Sequence, residues 1–173
     1  MTKTPPSTPS LRPPPDTRVA VVAARWNADV VAGLVAGAQA RLAAAGLGGE
    51  SVDVVRVPGS FELPLAADRL AASGRYAAVL CLGAIVRGET THDRHIATAV
   101  AAGIEQAARA HGVPILFGVL TCETEDQARA RSRVPAAGGA WDAAAFAANK
   151  GAEASAAAVE MMTVLATLAA SPR

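Results

Sequence analysis

The segment LGAIVRGETTHDRHI, residues 82–96, changes character within a few positions. It begins as an apolar run that includes Ile85 and Val86, passes Gly88, and continues into hydroxyl, charged and imidazole side chains. A buried strand that leaves a sheet and turns into the first turn of a helix has this pattern. Because ligands of parallel α/β proteins bind at such junctions, the segment is also the first candidate for a functional site.

Strand-like and helix-like segments alternate on both sides of this junction. The strand-like segments are residues 18–24, 51–57, 77–86 and 113–121; the helix-like segments are residues 27–46, 60–74, 90–112, 123–132 and 149–170. Such alternation predicts an α/β fold, a three-layer sandwich in which a four-stranded parallel sheet is flanked by helices on both faces, as in flavodoxin-like proteins. Gly46 stands where a glycine commonly ends a helix.

Two segments do not follow the alternation. Residues 1–17 are rich in Pro, Ser and Thr without an apolar stretch typical of a secretory signal, which predicts a disordered arm before a single domain of residues 18–173. Residues 133–148, RVPAAGGAWDAAAFAA, form a long connection between the fourth and fifth helix-like segments. Connections of this length often carry a function or an interface.

The composition excludes several classes of protein. Hydrophobic residues make up 51% of the chain and the net charge is +1, which argues against a disordered body and against a nucleic-acid-binding surface. No apolar run approaches the roughly 20 residues that span a bilayer, so no membrane partner is expected. Cys81 and Cys122 lie in strand-like runs without metal-ligand spacing, which favours reduced core thiols and a cytoplasmic location.

Polar and aromatic side chains follow each predicted strand. The segments are RWN, PGSFE, RGETTH and TCETE, and the carboxyl ends of parallel strands share one edge of a sheet. Trp26, Phe61 and Phe117 are three of only six aromatic residues, and rings at this edge suit a flat heterocyclic ligand. From position alone, Trp26 and Phe61 equally suit a cap on the core, and mid-strand Phe117 favours core packing.

The first turn of the third helix combines two chemical functions. Gly88, Thr90 and Thr91 suit an anion site at a helix N-terminus, although an ordinary helix cap also favours threonine. His92 follows directly, and an imidazole transfers protons near neutral pH. His95 completes an i, i+3 pair, but no further carboxylate or thiolate has matching spacing, so no metal site is predicted.

Two charged residues have both a structural and a binding interpretation. Glu62 can accept hydrogen bonds from ligand hydroxyls, whereas a helix N-terminus favours a carboxylate in any case. Arg131 can form two parallel hydrogen bonds to a phosphate, whereas most arginines at the end of a short helix are solvated charges. The structural interpretation is favoured for each residue taken alone.

Taken together, six segments resemble the lumazine synthase family. They are RWN, VPGSFELP, LGAIVRGETTH, FGVLTCET, DQARAR and NKGAEASAAAVEM, in this order, and the resemblance covers residues 18 to about 168. It implies a cofactor-free condensation of 5-amino-6-(D-ribitylamino)uracil with 3,4-dihydroxy-2-butanone 4-phosphate, which releases phosphate and water. Two other classes stay open: a non-catalytic lumazine- or flavin-binding relative, and a purely structural shell protein.

The resemblance also implies roles for individual residues. His92 would transfer protons, and Phe117 and Arg131 would complete the site from an adjoining subunit of a homo-oligomer, a pentamer or a multiple of pentamers. The residues implied to contact the pyrimidine or the ribityl chain are Trp26, Ser60, Phe61, Glu62, Ala84, Ile85, Val86 and Phe117; those implied to bind the phosphate are Glu89, Thr90, Thr91 and Arg131.

Three features depart from the family pattern. The family usually has phenylalanine where this chain has Trp26, and an aromatic, acid, aromatic run where it has Asp93, Arg94 and His95. The third departure is the long connection of residues 133–148. The bulk of Trp141 and Phe146 in that connection is expected to hinder the packing of rings into a closed shell, which favours a free pentamer or a pair of pentamers.

Overall fold

The structure is a computed structural model that describes Pro13 and residues 16–170. The strands are β1 (Val19–Ala24), β2 (Val52–Val57), β3 (Ala78–Val86) and β4 (Ile115–Cys122). The helices are α1 (Ala28–Ala44), α2 (Leu63–Ala72), α3 (His92–His111), α4 (Glu125–Ala130), α5 (Ala143–Ala147) and α6 (Lys150–Ala170). The predicted N-terminal arm lies outside the described residues except for Pro13, Asp16 and Thr17.

The four strands form one parallel sheet in the order β2-β1-β3-β4. β1 lies in the middle of the sheet, where Val22 pairs with Val55 of β2 on one side and with Cys81 of β3 on the other. Every residue of β1 is buried, because a central parallel strand is covered on both faces. The predicted sheet is confirmed.

Two core clusters show that helices cover both faces. Val19, Val21 and Ala23 of β1 pack with residues of α1 and α6, whereas Ala20 and Val22 pack with residues of α2 and α3. This division follows from the two-residue period of a strand, which points successive side chains to opposite faces. The three-layer sandwich expected from the sequence is therefore confirmed.

The elements are bounded by 3₁₀ turns that the sequence does not predict and by glycines in the left-handed conformation. Single 3₁₀ turns at Gly49–Ser51 and Ser60–Glu62 precede β2 and α2, so α2 begins three residues later than expected. Gly46 ends the first helix with φ +89, in the left-handed region that suits glycine. Gly112 does the same after α3 with φ +63.

The connection of residues 133–148 is more ordered than the sequence predicts. It contains the short helix α5, whose first turn is capped by the Asp142 carboxylate accepting a hydrogen bond from the Ala145 N–H at 2.8 Å. Trp141 and Phe146 stack on each other with ring centroids 5.5 Å apart, and the Arg41 guanidinium lies 5.4 Å from the centre of the Phe146 ring. The two aromatic side chains thus pack against their own chain rather than projecting from it.

The side chain of Asn149 joins three parts of the chain. It is fully buried, and its Nδ2 donates hydrogen bonds to the carbonyl oxygens of Gly33 and Arg133, each at 2.9 Å. Its Oδ1 accepts hydrogen bonds from the N–H groups of Gly151 and Ala152 at 2.9 and 3.1 Å. Asn149 therefore caps the start of α6 while it holds α1 and the connection before it.

Glycines allow the helices to approach closely at this junction. A Cβ on Gly33 would overlap the Ser132 carbonyl, and one on Gly37 would overlap the Asn149 side chain. Gly151 lies against the backbone of α1 in the same way. At this junction, the close approach of α1 and α6 therefore depends on glycines and on the hydrogen bonds of one asparagine.

One helix qualifies the prediction that no segment is long and apolar enough to span a membrane. Among residues 16–170, α6 alone meets the length and composition of a membrane span. Its buried residues, including Ala158, Val159 and Met162, pack in the cluster shared with α1 and β1. One face of the helix therefore packs in the core of this fold.

We expect Asn149→Ala to reduce the free energy of unfolding by about 2–4 kcal/mol, because it removes a helix cap and leaves buried carbonyl groups without donors. Urea unfolding at a fixed protein concentration measures the loss. Glu160→Ala, an exposed change on the same helix, is the control and should cost less than about 0.5 kcal/mol. Equal stabilities of the two variants would contradict the role given to Asn149.

Candidate active site

A cavity of about 850 Å³ opens at the carboxyl ends of β1 and β3. The strand order reverses between these two strands, which is where open α/β sheets bind ligands. Its walls come from the segments that follow β1, β2 and β3 and from the first turns of α3. The predicted site residues that line it are Trp26, Ser60, Phe61, Glu62, Ala84, Ile85, Val86, Thr90 and His92.

Asn27 connects the ends of the two strands across this cavity. Its Nδ2 donates a hydrogen bond to the Ala84 carbonyl at 2.8 Å, and its backbone adopts the left-handed conformation with φ +55. Asparagine tolerates this conformation better than most residues, so it can turn the chain sharply from β1 into α1. The turn places Trp26 on the cavity wall, directly before Asn27.

Trp26 and Phe61 are surface side chains in this chain. Trp26 is 75% exposed and Phe61 is 61% exposed, so the interpretation that they cap the core is wrong. Both rings line the cavity, from the segments that follow β1 and β2. An exposed aromatic ring at the edge of an apolar cavity can stack on a planar ligand.

Glu62 has a structural contact and also lines the cavity. Its Oε2 accepts a hydrogen bond from the Gly59 N–H at 2.8 Å, which fixes the 3₁₀ turn that leads into α2. The same residue lines the cavity, where a carboxylate can accept hydrogen bonds from hydroxyl groups. Ser60 is buried in this turn, within van der Waals reach of β3.

An ion pair fixes the start of the loop between β3 and α3. The Arg87 guanidinium donates to the Glu123 carboxylate at 2.7 Å, and the Arg87 N–H donates to the Cys122 carbonyl at 2.9 Å. The Glu123 carboxylate raises the pKa of Arg87. These contacts join the ends of β3 and β4 immediately before the predicted phosphate-binding segment.

Only some of the site residues predicted in this loop and the first turn of α3 line the cavity. Gly88, Thr90 and His92 line it, whereas Glu89 and Thr91 are exposed outside its lining. Thr91 precedes the first residue of α3, and the Thr90 hydroxyl accepts a hydrogen bond from the His92 N–H at 3.4 Å. The helix N-terminus thus opens beside the cavity, as an anion site requires.

Phe117 and Arg131 lie in a second cavity, of about 340 Å³, between the edge strand β4 and α6. Phe117 is 45% exposed, so the prediction that it packs in the core is wrong: β4 has a neighbouring strand on one side only. Arg131 is the C-cap residue of α4, and its Nη1 donates a hydrogen bond to the Gln127 carbonyl oxygen at 2.9 Å. Its guanidinium therefore has a structural contact as well as a place on the cavity wall.

Two further charged residues line the second cavity, and the sequence interpretation did not assign them a role. Lys150 and Glu153 form an ion pair on the first turn of α6, and the Lys150 N–H donates to the Arg131 carbonyl at 2.8 Å. They belong to the segment NKGAEASAAAVEM, which contributed to the family resemblance. Their position next to Arg131 depends on the bridge between Ser132 and Asn149, a tertiary contact that the sequence does not show.

The two cavities share no lining residue within the chain. The first contains the aromatic rings, the ends of β1 and β3, and His92. The second contains Phe117, Arg131 and Lys150. One chain therefore presents two separate sets of the predicted residues, each open to solvent.

The two cysteines are buried and unpaired, as the sequence predicts. Burial raises the pKa of Cys81 to about 12, so its thiol stays protonated at neutral pH. Burial also raises the pKa of Cys122, although the nearby Arg131 opposes this shift. In the part of the chain that the structure describes, no group of three or more His, Cys, Asp or Glu side chains could hold a metal ion.

Comparison with known proteins assigns the fold and these residues to one family. The family model described as 6,7-dimethyl-8-ribityllumazine synthase matches residues 16–166, which include both cavities. The chain belongs to this family. The resemblance noted from the six sequence segments is thereby confirmed.

Curated relatives agree with the family match over nearly their whole length. A 6,7-dimethyl-8-ribityllumazine synthase of Stenotrophomonas maltophilia (strain R551-3) is 44% identical over 158 residues, 91% of this chain and 95% of the relative. A protein of the same name from Xanthomonas oryzae pv. oryzae (strain PXO99A) is 42% identical over 155 residues, 90% of this chain and 94% of the relative.

The conformation of Asn27 yields a test of how the first cavity is held. We expect Asn27→Ala to lower the free energy of unfolding more than Asn27→Gly, by about 1–2 kcal/mol, because only glycine relieves the left-handed backbone. Both variants lose the hydrogen bond to Ala84. Urea unfolding at equal protein concentration measures the difference, and a less stable glycine variant would contradict the strain assigned to this turn.

Proposed function

We propose that this chain condenses 5-amino-6-(D-ribitylamino)uracil with 3,4-dihydroxy-2-butanone 4-phosphate to give 6,7-dimethyl-8-ribityllumazine, phosphate and water. Family membership supports this reaction and makes the chain a transferase of riboflavin biosynthesis. The observation that carries the proposal is the first cavity, in which two aromatic rings, strand-end backbone and His92 surround one space. A non-catalytic binding protein or a shell protein is not favoured by these findings.

The pyrimidine end of the cavity is formed by Trp26, Phe61 and the end of β3. The ring of the pyrimidine stacks on Trp26, and the backbone of Ala84, Ile85 and Val86 provides hydrogen-bonding groups along its edge. Glu62 accepts hydrogen bonds from the ribityl hydroxyls, because its carboxylate lines the same wall. This assignment supplies a partner for each polar part of the first substrate.

The phosphate end of the cavity is formed by the loop before α3. Thr90 and the N-terminus of α3 suit a phosphate, because helix N–H groups and the helix dipole favour an anion there. We assign Glu89 and Thr91 to the same loop, although they line no cavity in the single chain. His92, the first residue of α3, lines the same cavity and can exchange protons with the reacting atoms.

Phe117, Arg131 and Lys150 are assigned to the same active site from a neighbouring copy. All three residues lie outside the first cavity in the chain. Arg131 and Lys150 face a solvent-open space in which Glu153 is the one carboxylate among the lining residues. A second chain that brings its first cavity against this surface would supply the phosphate. The site is then complete only in a homo-oligomer.

The reaction proceeds through bond changes that these residues can assist. The amine of the pyrimidine attacks the ketone and water leaves to form a Schiff base; phosphate is then eliminated, and ring closure releases a second water. Holding both substrates in one geometry can supply several kcal/mol of the barrier reduction, up to about 7–11 in favourable cases. His92 then adds proton transfer to a reaction in which orientation is the larger contribution.

The assembly and the compartment follow from the same proposal. A ring of five subunits is the assembly that the resemblance implies. The proposal of a free ring or a pair of rings rather than a closed shell rests on the length of the 133–148 connection and its helix α5, because Trp141 and Phe146 pack against their own chain. The free thiols of Cys81 and Cys122 favour the cytoplasm, where thiols stay reduced.

We expect the purified chain, mixed with both substrates, to form the fluorescent lumazine product. Arg131→Ala should raise the KM for the butanone phosphate by about 10²-fold, with little change for the pyrimidine, because only the phosphate requires the guanidinium. Steady-state fluorescence assays with each substrate varied in turn measure both values.

Arg129→Ala is the matched control for this substitution. Arg129 lies on the same short helix, forms ion pairs with Asp29 and Glu125, and does not line the second cavity. Its variant should retain both KM values. Equal losses for both substrates in Arg131→Ala would contradict the phosphate assignment, and no product from the unaltered chain would contradict the proposed function.

A further inference from the structure

We propose that His95 is a second proton-transfer group of this active site and shares the acid–base work with His92. The inference rests on the proposed function, because it concerns the same reaction. Its basis is geometric: His92 and His95 line one wall of the cavity that holds Trp26 and Phe61. The sequence interpretation considered this pair only as metal ligands.

One face of α3 forms this wall. The residues of α3 that line the cavity include His92, His95, Ile96 and Ala99, at spacings of three, four and seven from the first. Residues at these spacings share one face of an α-helix. His92 and His95 therefore lie on the cavity side of α3, with backbone positions about 4.5 Å apart along the helix axis at the usual rise per residue.

His95 lies about one turn further along α3 than His92. The adjacent Ile96 packs against the core cluster that contains Ile85, at the end of β3. His92 is the first residue of α3 and follows the loop assigned to the phosphate. In the proposed assignment the reacting atoms lie in the cavity between the phosphate and the pyrimidine, and both histidines line that cavity.

Two carboxylates lie at this wall with the histidines. Glu62 and Asp93 both line the cavity. The third histidine of the chain has a different environment. His111 bonds to Asp68 at 2.8 Å and joins α3 to α2 at the far end of the helix.

The condensation requires several proton transfers, and two imidazoles can divide them. When the amine nitrogen attacks the ketone, an N–C bond forms and the carbonyl π electrons move to oxygen. The imidazolium of His95 gives that oxygen a proton, and the neutral imidazole then takes a proton from the attached nitrogen. The His92 imidazolium then delivers a second proton to the same oxygen, so that the C–O bond breaks, water departs and the nitrogen lone pair forms the C=N bond. The neutral His92 imidazole takes the remaining proton from this nitrogen, which gives the Schiff base.

Substitutions of the two histidines test this division of work. We expect His92→Ala and His95→Ala each to lower kcat about tenfold, and the double variant to lower it about 10³-fold, because neither imidazole can then replace the other. His95→Gln, which keeps hydrogen-bonding capacity but does not titrate, should be as slow as His95→Ala. The KM values should change less than kcat in every variant.

The pH profile separates a chemical role from a structural one. Loss of an imidazole that transfers protons should change the limbs of kcat against pH, whereas a merely loosened pocket should lower the whole curve evenly. Arg94→Ala is the matched control, since Arg94 is exposed on the same turn of α3 and does not line the cavity. Its activity and pH profile should match those of the unaltered chain.

A binding measurement on the unaltered protein completes the test and does not depend on how well any variant folds. With ¹³C-labelled histidine rings, the added lumazine product should shift the NMR signals of His92 and His95 and leave that of His111 in place. An unchanged His95 signal, or a double variant as active as His92→Ala alone, would overturn the inference while the proposed function stands. Absence of product from the unaltered chain would overturn both.

Discussion

The contact between α1 and α6 at Asn149 is the constraint on which the rest of the structure depends. Four hydrogen bonds made by one fully buried side chain hold the start of α6, a carbonyl of α1 and the start of the preceding connection. Because the glycines of both helices admit no larger side chain there, the backbone positions leave little freedom. Arg131 and Lys150, bonded through their backbones beside Asn149, acquire their relative position from this junction.

The same junction explains why a long connection is compatible with the site. Ser132 and Asn149 form an antiparallel bridge, so the residues between them leave and return at one point. Lengthening a loop whose ends are fixed costs little entropy, about 0.6 kcal/mol for each doubling. Residues 133–148, with α5 and its aromatic pair, therefore form a separate excursion that does not line the second cavity.

The fold could be predicted from the sequence because buried parallel strands and amphipathic helices leave separate periodic signals, and β1 and β3 are apolar on both faces. The first cavity followed as well, since the chain order places polar and aromatic residues after each strand. The exposure of Phe117 could not be predicted from the sequence, because it depends on the position of β4 at an edge of the sheet. Lys150 was missed because only tertiary contacts bring it beside Arg131.

The central claim is that each active site combines the first cavity of one chain with the second cavity of another. Trp26→Asp disables the first cavity and Arg131→Glu disables the second, so each variant alone should be inactive. When equal amounts of the two variants are unfolded and refolded together, neighbours in a ring associate at random. About a quarter of the sites should then combine the intact first cavity of an Arg131→Glu chain with the intact second cavity of a Trp26→Asp chain. Recovery of about a quarter of the unaltered activity is the predicted result, and a mixture as inactive as its components would contradict the account.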